Sequence, residues 1–363
     1  MTQILKITQI FTDFFHLSLK VCALNFILTN LGFRKALIVL SFGSFWINTN
    51  AQTTKNFEFI KVDSSFSSLD GVFSALPPDV KFGGISGIEF YNNALYLVSD
   101  RAFKTDTTEN SYIFKMDSIG QISTAFKFFG VKNVESIRFD NLSQKMFFAF
   151  EREDSTGVGF INENNIPINL ATFSMKTDSL TTENRGIESL CFDEKHNLWF
   201  AFESSLGPSI SFFQFPYDAT KNSYDYNKKK VFQYPFDARI CIKPDQKLSG
   251  NVGNGITEIL PFDDNKLLVM ERCFDDRFIT MRLFVASIPS EGNIISKQQV
   301  FEFTIKNELL GQNRPLRPDN FEGMTWGKEE NNQRILYIIS DDNFNPKRQR
   351  TLLLTLGKIE IEK

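Results

Sequence analysis

Five times along the chain an apolar run ends on a carboxylate, and in three of the five an arginine comes next. The runs are ALYLVSDR (94–101), KMFFAFERE (145–153), NLWFAFES (197–204), KLLVMERCF (266–274) and ILYIISDD (335–342). Their acids are Asp100, Glu151, Glu203, Glu271 and Asp341, and Arg101, Arg152 and Arg272 are the arginines. Upstream of each stands a second run: GISGIEF, NVESIRFD, GIESLCFD, GITEILPF and NFEGMTWG. Near its start lies Ser86, Glu135, Glu188, Thr257 (with Glu258 beside it) or Glu322. If both positions share one surface, eight carboxylates converge on it. Like charges at that density raise one another's pKa values and repel, so a cation or neighbouring arginines must neutralise them. Carboxylates without imidazole or thiolate select a hard ion, and about six to eight oxygens from loops suit Ca²⁺ better than Mg²⁺. Arginine forks beside such an ion would hold a small anionic substrate, a phosphate ester above all. NPKRQR adds Lys347, Arg348 and Arg350. Taken pair by pair, the same acid–arginine dipeptides could instead be structural salt bridges.

A repeated β unit must position these residues. Each pair of runs reads as two antiparallel strands with a turn between them, at Asn92 and Asn93 in the first copy. Further β-type runs follow, among them SYIFKMD, ISTAFKFF, PINLATFS, SISFFQFPYD, KVFQYPFD and MRLFVASI. Four strands per unit, recurring at about 40 to 50 residues or more, is the pattern of a β-propeller. There the first strand of each unit lines the central channel and the second returns antiparallel, so the two chemical positions meet at one rim. The expected fold class is all-β, a propeller of four-stranded blades. Five blades are counted, or six if KNSYDYNKKK, PDQKLSGNVGN or ELLGQNRPLRPD hides a degenerate unit. TLLLTLGKIEIEK gives the last unit a third strand, and KNFEFIKVD near the N-terminus could supply its fourth, fastening the ring. Gly83, Gly84 and Gly87 read as turn and packing glycines, since no helix pattern follows them to make a phosphate cradle.

With 363 residues, 42% of them hydrophobic, the chain can bury a large core. A net charge of -3 and no long Lys/Arg run argue against a nucleic-acid partner. FRKALIVLSFGSFWINTNAQ reads as a secretory signal cleaved after Ala51, leaving residues 52–363 as one mature domain. Its apolar part is shorter than the roughly 20 residues of a stable membrane span. Residues 1–33 ahead of it fit a start codon nearer Leu31. A periplasmic or secreted monomer is the expectation. Cys191 reads as a buried thiol, and Cys241 could pair with Cys273. The two histidines are His16, in the leader, and His196, in the DEKHN turn expected at the opposite rim. A Ser-His-acid triad and a His-rich zinc site are therefore set aside, and water activated by a metal remains as nucleophile.

GGISGIEF…YLVSDR, GIESLCFD, LLVMERCF, DNFEGMTWG and ISDDNFNPKRQRT resemble the phytase-like domain family, exported bacterial proteins described as having esterase-like activity of phytase. The resemblance runs over roughly residues 80 to 356 and implies phosphoester hydrolysis on a β-propeller. It places Asp100, Arg101, Glu188, Glu271, Arg272, Asn320, Glu322, Asp341, Asp342, Asn343 and Arg350 at motif positions, while Ser189 stands where the third unit often has glycine. Glu188, Glu271, Glu322 and Asp341 are the candidate catalytic acids. With Asp100, Glu135, Glu151 and Glu203 they are also the candidate metal ligands. Arg101, Arg152, Arg272, Lys347, Arg348 and Arg350 are the candidates to bind phosphate. Two other classes stay open: a non-catalytic propeller that binds an anionic ligand or protein, and a metal-dependent lactonase.

Overall fold

Turn chemistry sets the frame. Asn92 and Asn93 take φ of 48° and 59° between the strands Ile85–Tyr91 and Ala94–Ser99. A two-residue hairpin loop of the twist-matching hand needs both central residues left-handed, and asparagine tolerates that conformation. Asn165, His196 and Asn265 each supply a single left-handed residue at other hairpins.

The computed structural model describes residues 56–69, 76–101, 110–175, 185–205, 207–236, 253–274, 278–306, 320–330, 333–345 and 349–361, all in the unit Lys55–Lys363. They form five four-stranded antiparallel blades of a β-propeller. The inner two strands are Ile85–Tyr91 and Ala94–Ser99 in blade 1, and Val134–Asp140 and Lys145–Glu151 in blade 2. They are Ile187–Phe192 and Leu198–Phe202 in blade 3, Gly253–Asp263 and Lys266–Phe274 in blade 4, and Asn320–Glu330 and Gln333–Asp341 in blade 5. Each innermost strand touches the next round the ring, and Asn320–Glu330 closes it against Ile85–Tyr91. Leu352–Ile361 is the third strand of blade 5 and Asn56–Ser68 its fourth, so the expected fastening strand is observed. No sixth blade is hidden in KNSYDYNKKK, whose residues contribute to a two-residue-per-strand hairpin and one 3₁₀ turn at Tyr226–Lys228. ELLGQNRPLRPD and most of PDQKLSGNVGN lie outside the described residues.

The core lies between blades. Phe147 and Phe173 of blade 2 pack with Phe200, Phe202 and Phe213 of blade 3 in one cluster, and Met270, Leu283, Met324 and Leu336 join blades 4 and 5 in another. Because neighbouring blades cover both faces, Leu198–Phe202 is buried at every position, and such strands read as apolar runs without alternation. Cys191 is a buried free thiol and Cys273 is disulfide-bonded. Cys241 and the whole leader lie outside the described residues. No helix among the described residues is long and apolar enough to cross a membrane.

Candidate active site

Every inner hairpin carries a β-bulge at the same place. The pairing register skips one residue between Ile85 and Gly87, Val134 and Ser136, Ile187 and Ser189, Ile256 and Glu258, and Phe321 and Gly323. The skipped residues are Ser86, Glu135, Glu188, Thr257 and Glu322, which are the five residues singled out near the start of the first runs. A bulge frees its extra residue from the ladder and re-aims its side chain, which explains how an acid can sit in a strand buried on both faces.

The same register identifies the second position in each blade. The residues before the bulges pair with Ser99, Phe150, Phe202, Glu271 and Ser340. One step further on stand Asp100, Glu151, Glu203, Arg272 and Asp341. Blade 4 therefore presents Arg272 where the other four present an acid, and the expectation that Glu271 faces the rim is corrected. Glu271 is 1% exposed and accepts hydrogen bonds from Tyr234 Oη (2.8 Å), Asn254 Nδ2 (2.6 Å) and Lys297 Nζ (2.5 Å). Matching its Glu-Arg dipeptide to Glu151-Arg152 sets the strand one residue out of phase. Arg152 does not line the opening either: its guanidinium lies over the Phe150 ring, 4.9 Å from the centroid.

The rim encloses about 460 Å³, bounded by Asp100, Glu135, Glu151, Glu188, Glu203, Glu322 and Asp341 together with Arg101, Arg185 and Arg272. Sequence reasoning missed Arg185. Its only signal was its place three residues before Glu188 at the entry to blade 3, with no acid–arginine dipeptide to mark it. It is 6% exposed, lies 4.0 Å from Glu203 and donates to the Asn254 carbonyl. Asn343 and Gln349 also line the rim, whereas Arg350 is exposed and outside it. Lys347 and Arg348 lie outside the described residues. Asp342 serves the frame: its Oδ1 accepts from the Gly84 and Phe344 amides, tying blade 5 to blade 1. Gly84, at φ +59°, admits no side chain there because a Cβ would collide with Phe344 and Asp100. His196 sits at the opposite mouth of the channel, as expected.

Charge divides the rim unevenly. Arg272 Nη1 donates to Glu322 and Asn320, and its Nη2 reaches Glu203 at 3.1 Å. Arg101 Nε donates to Asp100 Oδ2 at 2.7 Å. Glu135, Glu151 and Glu188 form a separate group whose ligand oxygens lie within 4.8 Å of one another. The rim's ion pairs pass this group by among the described residues. Burial, then the charges of Glu151, Asp100 and Glu322, pushes Glu135 well above the usual carboxylate range. Burial and then Glu135 and Glu203 do the same to Glu188. Burial lifts Glu151 to about 7 even though the Gly186 amide donates to it at 2.9 Å. Asp341 is pushed well up by burial and the neighbouring Asp100. Asp100 also keeps one buried oxygen, Oδ1, with no hydrogen-bond partner. An all-oxygen donor set, mutual repulsion and an orphaned carboxylate oxygen together fit a hard divalent cation.

A five-bladed propeller with an acidic, arginine-studded axial site is the class that fold and site define. The chain belongs to the phytase-like family, described by esterase-like activity of phytase, which matches residues 80–344. No curated protein matches the sequence. Similar solved structures include a GH43 β-1,3-galactosidase, 8% identical, with a TM-score of 0.45 over 76% of this chain and 57% of that one. An exo-β-1,3-galactanase from Clostridium thermocellum is 6% identical, with a TM-score of 0.46 over 82% of this chain and 62% of that one. This chain thus spans less than two thirds of either. A protein from Lactobacillus plantarum is 13% identical, with a TM-score of 0.35 over 77% of this chain and 90% of that one.

Proposed function

We propose that this protein is an exported, calcium-dependent hydrolase of phosphate monoesters. The observation that carries the reading is the group Glu135, Glu151 and Glu188, three carboxylates within 4.8 Å of one another that form no ion pair among the described residues. These three would hold the ion. A bound calcium would supply Lewis-acid polarisation of the phosphoryl oxygens and an activated water. Arg101, whose side chain is 41% exposed, retains N–H groups beyond its bond to Asp100 and would orient the substrate's phosphate. Asp341 and Glu322 would exchange protons with the reacting oxygens, since burial lifts Glu322 to about 7 against the pull of Arg272 and Asp341 is raised as well. Family membership supports the ester chemistry, and the signal-like run before Gln52 supports export to the periplasm or medium, where a start at or near Gln52 is expected on N-terminal sequencing.

The test is hydrolysis of phytate and simple phosphomonoesters by the mature protein in calcium and in chelator. Activity restored by calcium is expected. No activity in either condition removes the reading; tight anion binding without turnover would then favour a binding propeller, and turnover of lactones alone a lactonase.

A further inference from the structure

Four blades place a carboxylate one residue after the partner of the pre-bulge residue, and blade 4 places Arg272 there. Its guanidinium is held from both sides, by Glu203 of blade 3 and by Glu322 and Asn320 of blade 5. Arginine keeps its proton at any pH a folded protein meets, so this is a fixed charge. Glu135 and Glu151 of blade 2 and Glu188 of blade 3 form no such ion pair among the described residues, and in blade 1 Asp100 Oδ1 is buried without a hydrogen-bond partner.

We infer that Arg272, bridging blades 3 and 5, is a resident cation of the rim that stands in place of a second metal ion and confines the ring to one divalent cation at Glu135, Glu151 and Glu188. This rests on the metal reading above. It makes Arg272 a positioning residue: its Nη groups donate to Glu203, Glu322 and Asn320, and Arg101 is left to meet an anionic substrate. Without the charge, Glu203 and Glu322 would flank a vacated space that also holds the Asn320 oxygen, a set of hard donors suited to a second ion.

Calcium binding to the mature protein, read by isothermal titration and native mass spectrometry, tests this on wild type, Arg272→Gln and Arg272→Lys. Wild type and Arg272→Lys should bind one ion. Arg272→Gln should bind two, and adding Glu322→Gln to it should return the count to one. If Arg272→Gln still binds one ion, or wild type binds two, the inference falls while the calcium reading stands. A wild type that binds none overturns both. Should Arg272→Gln fail to fold, Glu322→Gln alone carries the test. Because Glu322 serves Arg272, its calcium affinity should stay within about twofold of wild type, and a loss of about tenfold, some 1.4 kcal/mol, overturns the inference.

Discussion

Glu188 and Glu322 occupy the same bulge position in two blades, yet their neighbours assign them different work. Glu322 is bonded to Arg272 and Asn320, whereas Glu188 faces Glu135 and Glu151. Glu322→Gln should therefore lower the melting temperature by similar amounts in calcium and in chelator, as breaking a buried charge pair costs about 3–5 kcal/mol in either. Glu188→Gln should do the opposite in chelator, raising it by about 2–4 °C for each kcal/mol of repulsion relieved, and should abolish the stabilisation that calcium gives wild type. Thermal melts of both variants under both conditions decide it, and a Glu322→Gln effect that appears only with calcium would return that acid to the metal. Beyond the rim, Glu258 is fully buried, its Oε2 2.7 Å from Arg138 Nη2 and accepting from the Ser136 hydroxyl at 3.1 Å, and Glu89 lies 3.6 Å from Arg138 Nη1. Burial pushes Glu258 up to about 8, against the pull of Arg138. An unfolded glutamate titrates near about 4.3, so between these values the folded state binds more protons and stability falls as pH rises. Urea unfolding at pH 5 and pH 8 in chelator should show a steeper loss for wild type than for Glu258→Gln. Equal slopes would show that Glu258 is ionised throughout.

Where the inner strands begin and end was legible, because Asn-, Asp- and Gly-containing turns bound the apolar runs; which face each residue takes was legible only in part. In blades 1, 2, 3 and 5 the acid after the apolar run is the rim residue. In blade 4 the run Leu267–Cys273 is buried on both faces except at Arg272, so no alternation reveals its phase. That hairpin also carries a second register shift, between Pro261 and Asp263, so counting along it from the turn misleads. The bulges themselves left no sequence mark beyond the small residue that often follows: Gly87, Ser136, Ser189 and Gly323. Those small residues have a physical reason. A Cβ on Gly323 would stand 3.0 Å from the Gly87 Cα and the Ile88 nitrogen, where blades 5 and 1 come closest. Gly323→Ala should cost about 1–3 kcal/mol by overpacking. A urea midpoint indistinguishable from wild type would show that the inner strands can part without penalty.

At the scale of the whole molecule, closure depends on two distant parts of the chain. Asn56–Ser68 pairs with Leu352–Ile361 from Asn56↔Ile361 to Ser68↔Leu352, with one irregularity between Lys61 and Phe66. Five units were countable from the repeated motifs, but this pairing could only be supposed, since an apolar run reveals no partner by itself. Its anchor is Phe59, which is 5% exposed, stacked on Trp326 of blade 5 at 6.3 Å and edge-on to Phe301 of blade 4 at 6.4 Å. Phe59→Ala should therefore destabilise the protein by about 3–5 kcal/mol through the cavity it leaves. Deleting residues 52–68 from the mature chain should do more than subtract that contact. It uncovers the hydrogen-bonding edge of Leu352–Ile361, and a long unpaired edge recruits strands from other molecules. The truncated protein should therefore elute as a larger species than wild type and melt in more than one step, with blade 5 giving way first, while Phe59→Ala elutes as wild type with a single lowered transition. Size-exclusion chromatography with light scattering, followed by calorimetry, separates the outcomes. A truncated chain that elutes at the wild-type size with the wild-type midpoint would mean that blades 1 to 4 hold the ring without its N-terminal fastening.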